Sequence, residues 1–582
     1  MRLAVLASLM LQLAGATANG ADIEVAIGHT FDGRPLAMDD VSLRTRAGNI
    51  VSVSRLDYLL SEIRLVGCDG ATVPVGREAE FISLGTNRTG FTIGDVPNGD
   101  YTSLRFRVGL PKELNHADPA RFGPSDPLHP VLNGLHWGWQ GGYVFAAIEG
   151  RYELPGTALG GYSFHVGTDE LEVLVRIDGA FRITDGTRME LEFDVAGMFP
   201  EGARISPDDG SDSTHSAPGD ELARKLAANL GRAFSLRSVG VRTGGAEAPV
   251  TVLQPPPAGT TPYELPVPAR FPAPFLPSDN PLTREGIELG RRLFFDGSLS
   301  GDGTQSCAGC HQPSAAFADP GRALSLGITG EAGTRNTMPL FNLAWNRSFT
   351  WDGKRSRIRD QALAPIQNER EMNQSLPEAV EKITRAEGYE QAFRVAFGSP
   401  GVTAERIGLA IEQYLLTLVS ATSKYDRVRR GEEQFSADEQ RGMDLFVTEF
   451  DPARGKRGAD CFHCHGGELF SDYRLRNNGL DSAFTDRGRA EVTGRDRDVG
   501  RFKTPSLRNV EVTGPYMHDG RFATLDEAIA HYAGRVRRTP TLDANLAKHK
   551  GRGVELSEED RRALKAFLLT LTDEELRAEA PK

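Results

Sequence analysis

The chain has 582 residues, too many for one hydrophobic core, so about three to four domains are expected. Hydrophobic residues make up 39% and charged residues 25%, a soluble globular composition, and the formal net charge of -12 excludes nucleic-acid binding by bulk electrostatics. An acidic surface suits a small basic partner instead, such as a periplasmic electron carrier.

Residues 1–20 open with one Arg, an apolar run over 3–13, and Ala16 and Ala18 in an A-x-A pattern. That predicts a signal peptide and a periplasmic protein. The run is too short to cross a bilayer and no later one is long enough, so no membrane span is expected.

Residues 22–245 hold short alternating segments such as "DIEVAIG", "TSLRFRVGL", "LEVLVRID" and "RMELEFDV", with turn signals such as "DVPNGDY" between them. Many short strands so punctuated predict a β-sandwich. One helix is expected in "GDELARKLAANLGRAF", with Leu222, Leu226 and Leu230 on one face. The stretch "NGLHWGWQGGYVF", residues 133–145, carries two of the chain's four tryptophans. Alternation puts Trp137 and Trp139 on one sheet face and His136 on the other, which by itself is ordinary core. Cys68 is expected to be a small buried residue. Residues 246–278 include "QPPPAGTTPYELPVPARFPAPFLPS", and so much proline predicts an extended, semi-rigid linker.

From residue 279 the texture is helical, as in "TREGIELGRRLFFD", "AERIGLAIEQYLLTLVSA", "LDEAIAHYAGR" and "SEEDRRALKAFLLTL". Ser557 and Asp560 open the last of these with capping-box spacing. Two motifs stand out here, "CAGCH" at 307–311 and "CFHCH" at 461–465. C-x-x-C-H attaches c-type haem: Cys307 and Cys310, or Cys461 and Cys464, bind the vinyl groups, and His311 or His465 meets the iron. A shared zinc site is disfavoured, because zinc-binding pairs usually lie about 15–20 residues apart. The expected architecture is therefore multidomain: an N-terminal β-sandwich, then two mostly α-helical cytochrome c-like domains at 279–430 and 431–582.

Residues 279–582 also carry "GRRLFFDGSLSGDGTQSCAGCHQPSAAFADP", "WDGKRSRIRDQALAPIQNEREM" and "RFKTPSLRNVEVTGPYMHDGRFATLDEAI". On these stretches the half resembles the bacterial dihaem cytochrome c peroxidases, including MauG. The resemblance implies that Trp351 lies between the haems and that Gln361 and Glu371 stand near the peroxide-binding iron. A carboxylate there moves a proton between the peroxide oxygens. It also implies a calcium site of Asn336 with the carbonyls of Thr513 and Pro515, all-oxygen ligation that suits a hard cation. Typical members of that family close the first iron with a His some way after the motif; none lies between His311 and the distal segment here, so the resemblance implies a first haem held by His311 and open to hydrogen peroxide. At the second haem, Tyr532 stands where ordinary peroxidases have Met; Met517, in the preceding loop, is the alternative. An anionic oxygen ligand favours the higher iron oxidation states.

The first half resembles the copper-binding MbnP family through "GHTFDGRPL", "SVSRLDYLLSEIRL", "DPLHPVLNGLHWGWQGGYVFAAIEG", "YSFHVGT" and "STHSAPGDELARKLAANLGRAFSL". In that family a separate MauG-like partner, MbnH, oxidises a sandwich tryptophan to kynurenine at the copper site. This chain looks like both partners fused. Imidazole suits copper, and His29, His165 and His215 are the preferred ligands, with His136 next and His116 and His129 behind. Only Cys68 remains of the four cysteines in the form that names the family, so its disulfides are absent. The implied cofactors are two haem c, one calcium and one copper. The implied protein substrate is the chain's own first domain, at Trp139 or Trp137, with a slight preference for Trp139. The competing expectations are a conventional peroxidase fed by a soluble cytochrome, a copper-delivery protein whose haems act only in maturation, and a pure electron-transfer cytochrome.

Overall fold

The computed structural model describes residues 20–137, 142–153, 159–199, 204–241 and 255–578. The predicted signal segment through residue 19 and Trp139 lie outside the described residues.

Two sheets form the first domain. In strand Ala21–Phe31 the apolar Ile23, Val25 and Ile27 are buried and alternate with the more exposed Asp22, Glu24, Ala26 and Gly28. The strand runs parallel to Thr187–Asp194, which presents Met189, Leu191 and Phe193 to the same core. The larger sheet orders Leu174–Ile183, Gly99–Val108, Ile50–Gly67, Ala146–Glu153, Leu159–Val166 and Ser213–Thr214. Its inward residues, among them Tyr58, Phe106, Ile148 and Phe164, complete a sandwich core. The expected helix is Glu221–Leu230, capped by the Asp220 carboxylate and burying Leu226 and Leu230.

Alternation should send Arg55, Asp57, Glu149 and His165 from the larger sheet out to water. They are instead 9%, 2%, 3% and 3% exposed. The cause is the C-terminal half, which covers this face. Arg474 donates to Asp57 at 2.6 Å, Asn545 to Glu149 at 3.2 Å, and Arg538 to the carbonyl of Leu159 at 2.7 Å. Strand and helix backbones touch here. A Cβ on Gly161 would fall 1.9 Å from the carbonyl oxygen of Ala544, so only glycine permits this approach.

The proline-rich segment is extended as expected, but it is not a free linker. Over its described part, Phe271 is buried, Trp345 donates to the carbonyl of Pro272 at 2.6 Å, and Phe275 N donates to Ala344 O at 2.6 Å. On the other side His129 donates to the carbonyl of Ala273 at 2.7 Å and packs on Phe275. Apolar side chains between the prolines pin it to both halves. Cys68 is also corrected: it is exposed in the turn after strand Ile50–Gly67.

Among the described residues the helical half has two large apolar cores and a small third cluster of Val536, Leu542 and Ala547. In each large core, two helices cross over a glycine. Helix Arg284–Phe295 brings Gly290 against the carbonyl of Ala410 in Ala404–Leu416, and Ala437–Phe446 brings Gly442 against that of Ala563 in Glu558–Leu569. A Cβ at either glycine would lie 1.9 Å from the carbonyl oxygen. The capping box of Ser557 and Asp560 is present. Among the described residues, no helix is long and apolar enough to cross a membrane.

Candidate functional site

At the first motif, Cys307–Cys310 is one short helical turn followed by His311. The His311 Nδ1–H donates to the carbonyl of Phe317 at 2.9 Å, which leaves Nε2 as the nitrogen available to iron. Burial pushes the Cys307 thiol up to about 12. A thiolate is therefore disfavoured there, whereas a neutral thioether fits. Beside these residues lies a cavity of about 370 Å³ lined by Met338, Phe341, Trp351, Gln361, Glu371 and Met372. Burial raises the Glu371 carboxyl, which accepts from the Asn368 side chain at 2.7 Å. Cavity, buried thiols and an oriented imidazole fit a covalent haem.

The second motif repeats the arrangement. His465 Nδ1 faces the carbonyl of Phe470 at 3.3 Å, and burial pushes the Cys461 thiol up to about 12. Tyr532 projects from helix Leu525–Gly534. Burial pushes its phenol up to about 12, and the fields of Cys464 and Cys461 add to the effect, so it lies near the attachment cysteines. The Asn478 amide reaches both Tyr532 Oη at 3.3 Å and Met517 Sδ at 3.4 Å. Both sequence-level alternatives therefore adjoin the same group.

Between the two haem segments, the buried Trp351 donates its indole N–H to the carbonyl of Asn336 at 2.8 Å. Its own carbonyl accepts from Lys503 N at 2.6 Å, so the tryptophan is tied to both helical units. Asn336 N donates to the carbonyl of His518 at 2.7 Å, which joins its loop to the one holding Thr513 and Pro515.

The histidines of the first domain separate. His29 faces inward, donates or accepts with Tyr58 Oη at 3.0 Å, and packs on Phe193. It is a core histidine remote from the pair formed by His165 and His215, because its strand belongs to the opposite sheet. His116 pairs with Asp169 at 2.8 Å. His136 packs on Tyr143, and burial lowers it to about 4. It lines the same cavity of about 320 Å³ as Trp137 and His165, but lies outside the cluster described next.

His165 and His215 have ring centroids 4.6 Å apart. His165 Nε2–H donates to Glu149 Oε1 at 2.9 Å, and Arg55 holds that carboxylate at 2.7 Å. His215 Nδ1 pairs with Glu449, which also pairs with Lys548. The remaining nitrogens, His165 Nδ1 and His215 Nε2, are buried with no hydrogen-bond partner. A carboxylate on one ring nitrogen and a free lone pair on the other is how proteins orient metal-binding histidines. Burial lowers His165 to about 3, against the pull of Glu149, so the ring stays neutral as ligation requires. A third imidazole, His463, stands 4.6 Å from His215 and 5.7 Å from His165 by ring centroid. The Trp137 indole lies 5.9 Å from His165, 5.8 Å from His215 and 6.3 Å from Phe462. Sequence reasoning missed His463 and Glu449. His463 occupies a variable position of the haem motif, where nothing local marks a ligand.

Comparison with known proteins agrees with this division. Residues 284–434 match the di-haem cytochrome c peroxidase family and residues 20–216 match MbnP. The methylamine utilization protein MauG of Methylorubrum extorquens is 38% identical over 51% of this chain and 81% of its own length. Cytochrome c551 peroxidase of Nitrosomonas europaea is 32% identical over 51% of this chain and 82% of its own length. The chain belongs to the dihaem cytochrome c peroxidase family. Its first domain is MbnP-like, so the chain is a fusion of the two. A solved MauG-like protein associated with microbial copper homeostasis is 33% identical, covering 55% of this chain and 97% of its own, at a TM-score of 0.49. Membership makes the protein an oxidoreductase carrying haem c.

Proposed function

We propose that this dihaem protein is exported to the periplasm and uses hydrogen peroxide to oxidise Trp137 of its own first domain to kynurenine, beside a copper held by His165 and His215. The boundaries that go with this reading are a sandwich at 22–245, a connecting segment at 246–278, and haem units at 279–430 and 431–582. The observation that carries it is the place of Trp137. Its indole contacts both histidines and Phe462, the residue bonded to Cys461.

The chemistry balances with two peroxides per indole. Tryptophan gives up four electrons as its C2–C3 bond breaks and two oxygens enter, forming N-formylkynurenine. Two hydrogen peroxide molecules take those electrons, and the net products include two waters. Hydrolysis then releases formate and leaves kynurenine.

Haem c at the two motifs would supply a peroxide-reactive iron and the capacity to hold oxidising equivalents. The chain's own groups do the rest. Burial keeps a proton on Glu371 to a higher pH than an ordinary carboxylate, which suits it to move protons beside Gln361. Trp351, fixed at both its indole and its carbonyl, bridges the helical units for electron passage. Tyr532 is the ligand proposed for the second haem. Asn336, Thr513 and Pro515 are proposed to hold calcium between the units. Trp137 passes electrons toward the second motif through Phe462, so the reaction needs only one copy of the chain.

Peptide mass analysis of haem-loaded, peroxide-treated protein tests this. The 133–145 peptide should gain one oxygen and lose one carbon, with the change at Trp137 and a rate independent of protein concentration. Unmodified Trp137 in that sample overturns the reading. A second reading, a peroxidase fed by a soluble cytochrome, draws on Met517, whose sulfur meets the Asn478 amide next to Tyr532. Sustained peroxide turnover with a reduced cytochrome, leaving Trp137 intact, would mark it.

A further inference from the structure

The two residues between the cysteines of a haem motif are chemically free, because neither bonds the haem. In the second motif one of them is His463, buried at 9% exposure and turned toward the first domain. One nitrogen from each of His165, His215 and His463 lies within 4.8 Å of the others. Imidazole–metal bonds are about 2.0–2.1 Å, so a small closure of the three rings places one ion between them.

We propose that His463 is the third ligand of the copper site, so that a single ion is held jointly by the first domain and the second haem unit. This rests on the reading that His165 and His215 bind copper. Three features support the third ligand. First, His165 Nδ1 and His215 Nε2 are buried with no hydrogen-bond partner, and the His463 ring packs against both of these histidines. Second, one carboxylate serves both sides of the boundary. Glu449 pairs with His215 of the first domain and lies 3.6 Å from His463 Nε2 of its own unit. Third, the charges around the site suit a cation. Lys548 Nζ is 3.2 Å from His463 Nε2, but it pairs with Glu449 and, at 3.1 Å, with Asp460, while Glu149 stands behind His165. Glu449 and Asp460 thus share the one ammonium of Lys548, and Arg55, which holds Glu149, is itself shared with Asp57.

Three imidazoles accept copper or zinc, and copper stands highest in the affinity order of divalent first-row metals. The consequence is structural. The site exists only while the two halves are docked, and it adjoins both Trp137 and the cysteine thioethers of the second motif. Copper loading would then lock the domain boundary.

The test uses the full, haem-loaded chain with copper ions alone, competed against a chelator. His463→Asn should weaken copper binding by at least about tenfold while haem absorbance stays at the native level. His165→Asn should do at least as much. Should His463→Asn bind copper as the parent does while His165→Asn loses it, the third ligand is overturned and the two-histidine reading survives. Should neither His165→Asn nor His215→Asn change the affinity, the copper reading itself falls, and this inference with it. If His463→Asn fails to fold, X-ray absorption of the copper-loaded parent decides by counting imidazoles: three support the proposal and two refute it.

Discussion

The two haem segments share a frame and differ in its filling. Each ends in a histidine whose Nδ1 meets the carbonyl of a downstream phenylalanine, Phe317 or Phe470, and each phenylalanine is followed two residues later by an aspartate, Asp319 or Asp472. Between the cysteines, however, the first has Ala308, half-buried, and Gly309, exposed. The second has Phe462 and His463, both buried. Haem attachment constrains neither position. The first motif leaves them small beside an open cavity, while the second spends them on the boundary with the sandwich. One covalent motif thus does two jobs, and the difference lies wholly in the residues it does not use.

The largest expected effect separates the first cavity from the second boundary. Glu371→Gln should slow peroxide consumption by about 10²–10⁴-fold in stopped-flow measurements, without changing the docking of the halves. An unchanged rate would remove Glu371 from proton transfer. At the other segment, Glu449→Gln strips one member from a buried ion network and should cost about 3–5 kcal/mol in denaturant unfolding. A loss below about 1 kcal/mol, the range of exposed pairs, would mean that the network is solvated.

The comparison sharpens with matched substitutions between the cysteines. Phe462→Ala empties a buried ring site and should cost about 3–5 kcal/mol, and it should also slow Trp137 oxidation. Gly309→Ser should stay within about 0.5 kcal/mol, since a Cβ there meets nothing nearer than Gln305 Cγ at 3.6 Å. Equal costs would erase the distinction between the motifs.

Acid should weaken the sandwich half in a defined window. Burial lowers His29 and His136 to about 4 from an ordinary 6.5. Unfolded, each takes up a proton below about 6.5; folded, neither does until near 4. The unfolded state therefore binds more protons in between, and stability falls as pH drops from about 6.5 towards 4. The melting temperature of copper-free protein should fall across that range, and a flat profile would show that these rings are solvated. The smallest effect belongs to Cys68→Ser, at an exposed turn, which should change unfolding by no more than about 0.5 kcal/mol.

Local chemistry was legible in the sequence. The C-x-x-C-H spacing fixes haem attachment because the bonds form within one helical turn. Ser557 and Asp560 cap a helix because both partners are three residues apart. Alternating strands showed the sandwich because inward and outward residues follow a period of two. Those same rules could not reveal that the outward face is buried, because what covers Asp57 is Arg474, some four hundred residues away. Nor could they show that apolar residues pin the proline-rich segment, or that His29 lies in the core while His215 meets Glu449. His463 makes the distinction plainest. By sequence it is a spacer between two cysteines; only the docking of two domains turns it toward two histidines with unshared lone pairs. Periodicity and motif spacing report contacts made within a few residues, and the tertiary structure decides those that depend on which surfaces meet.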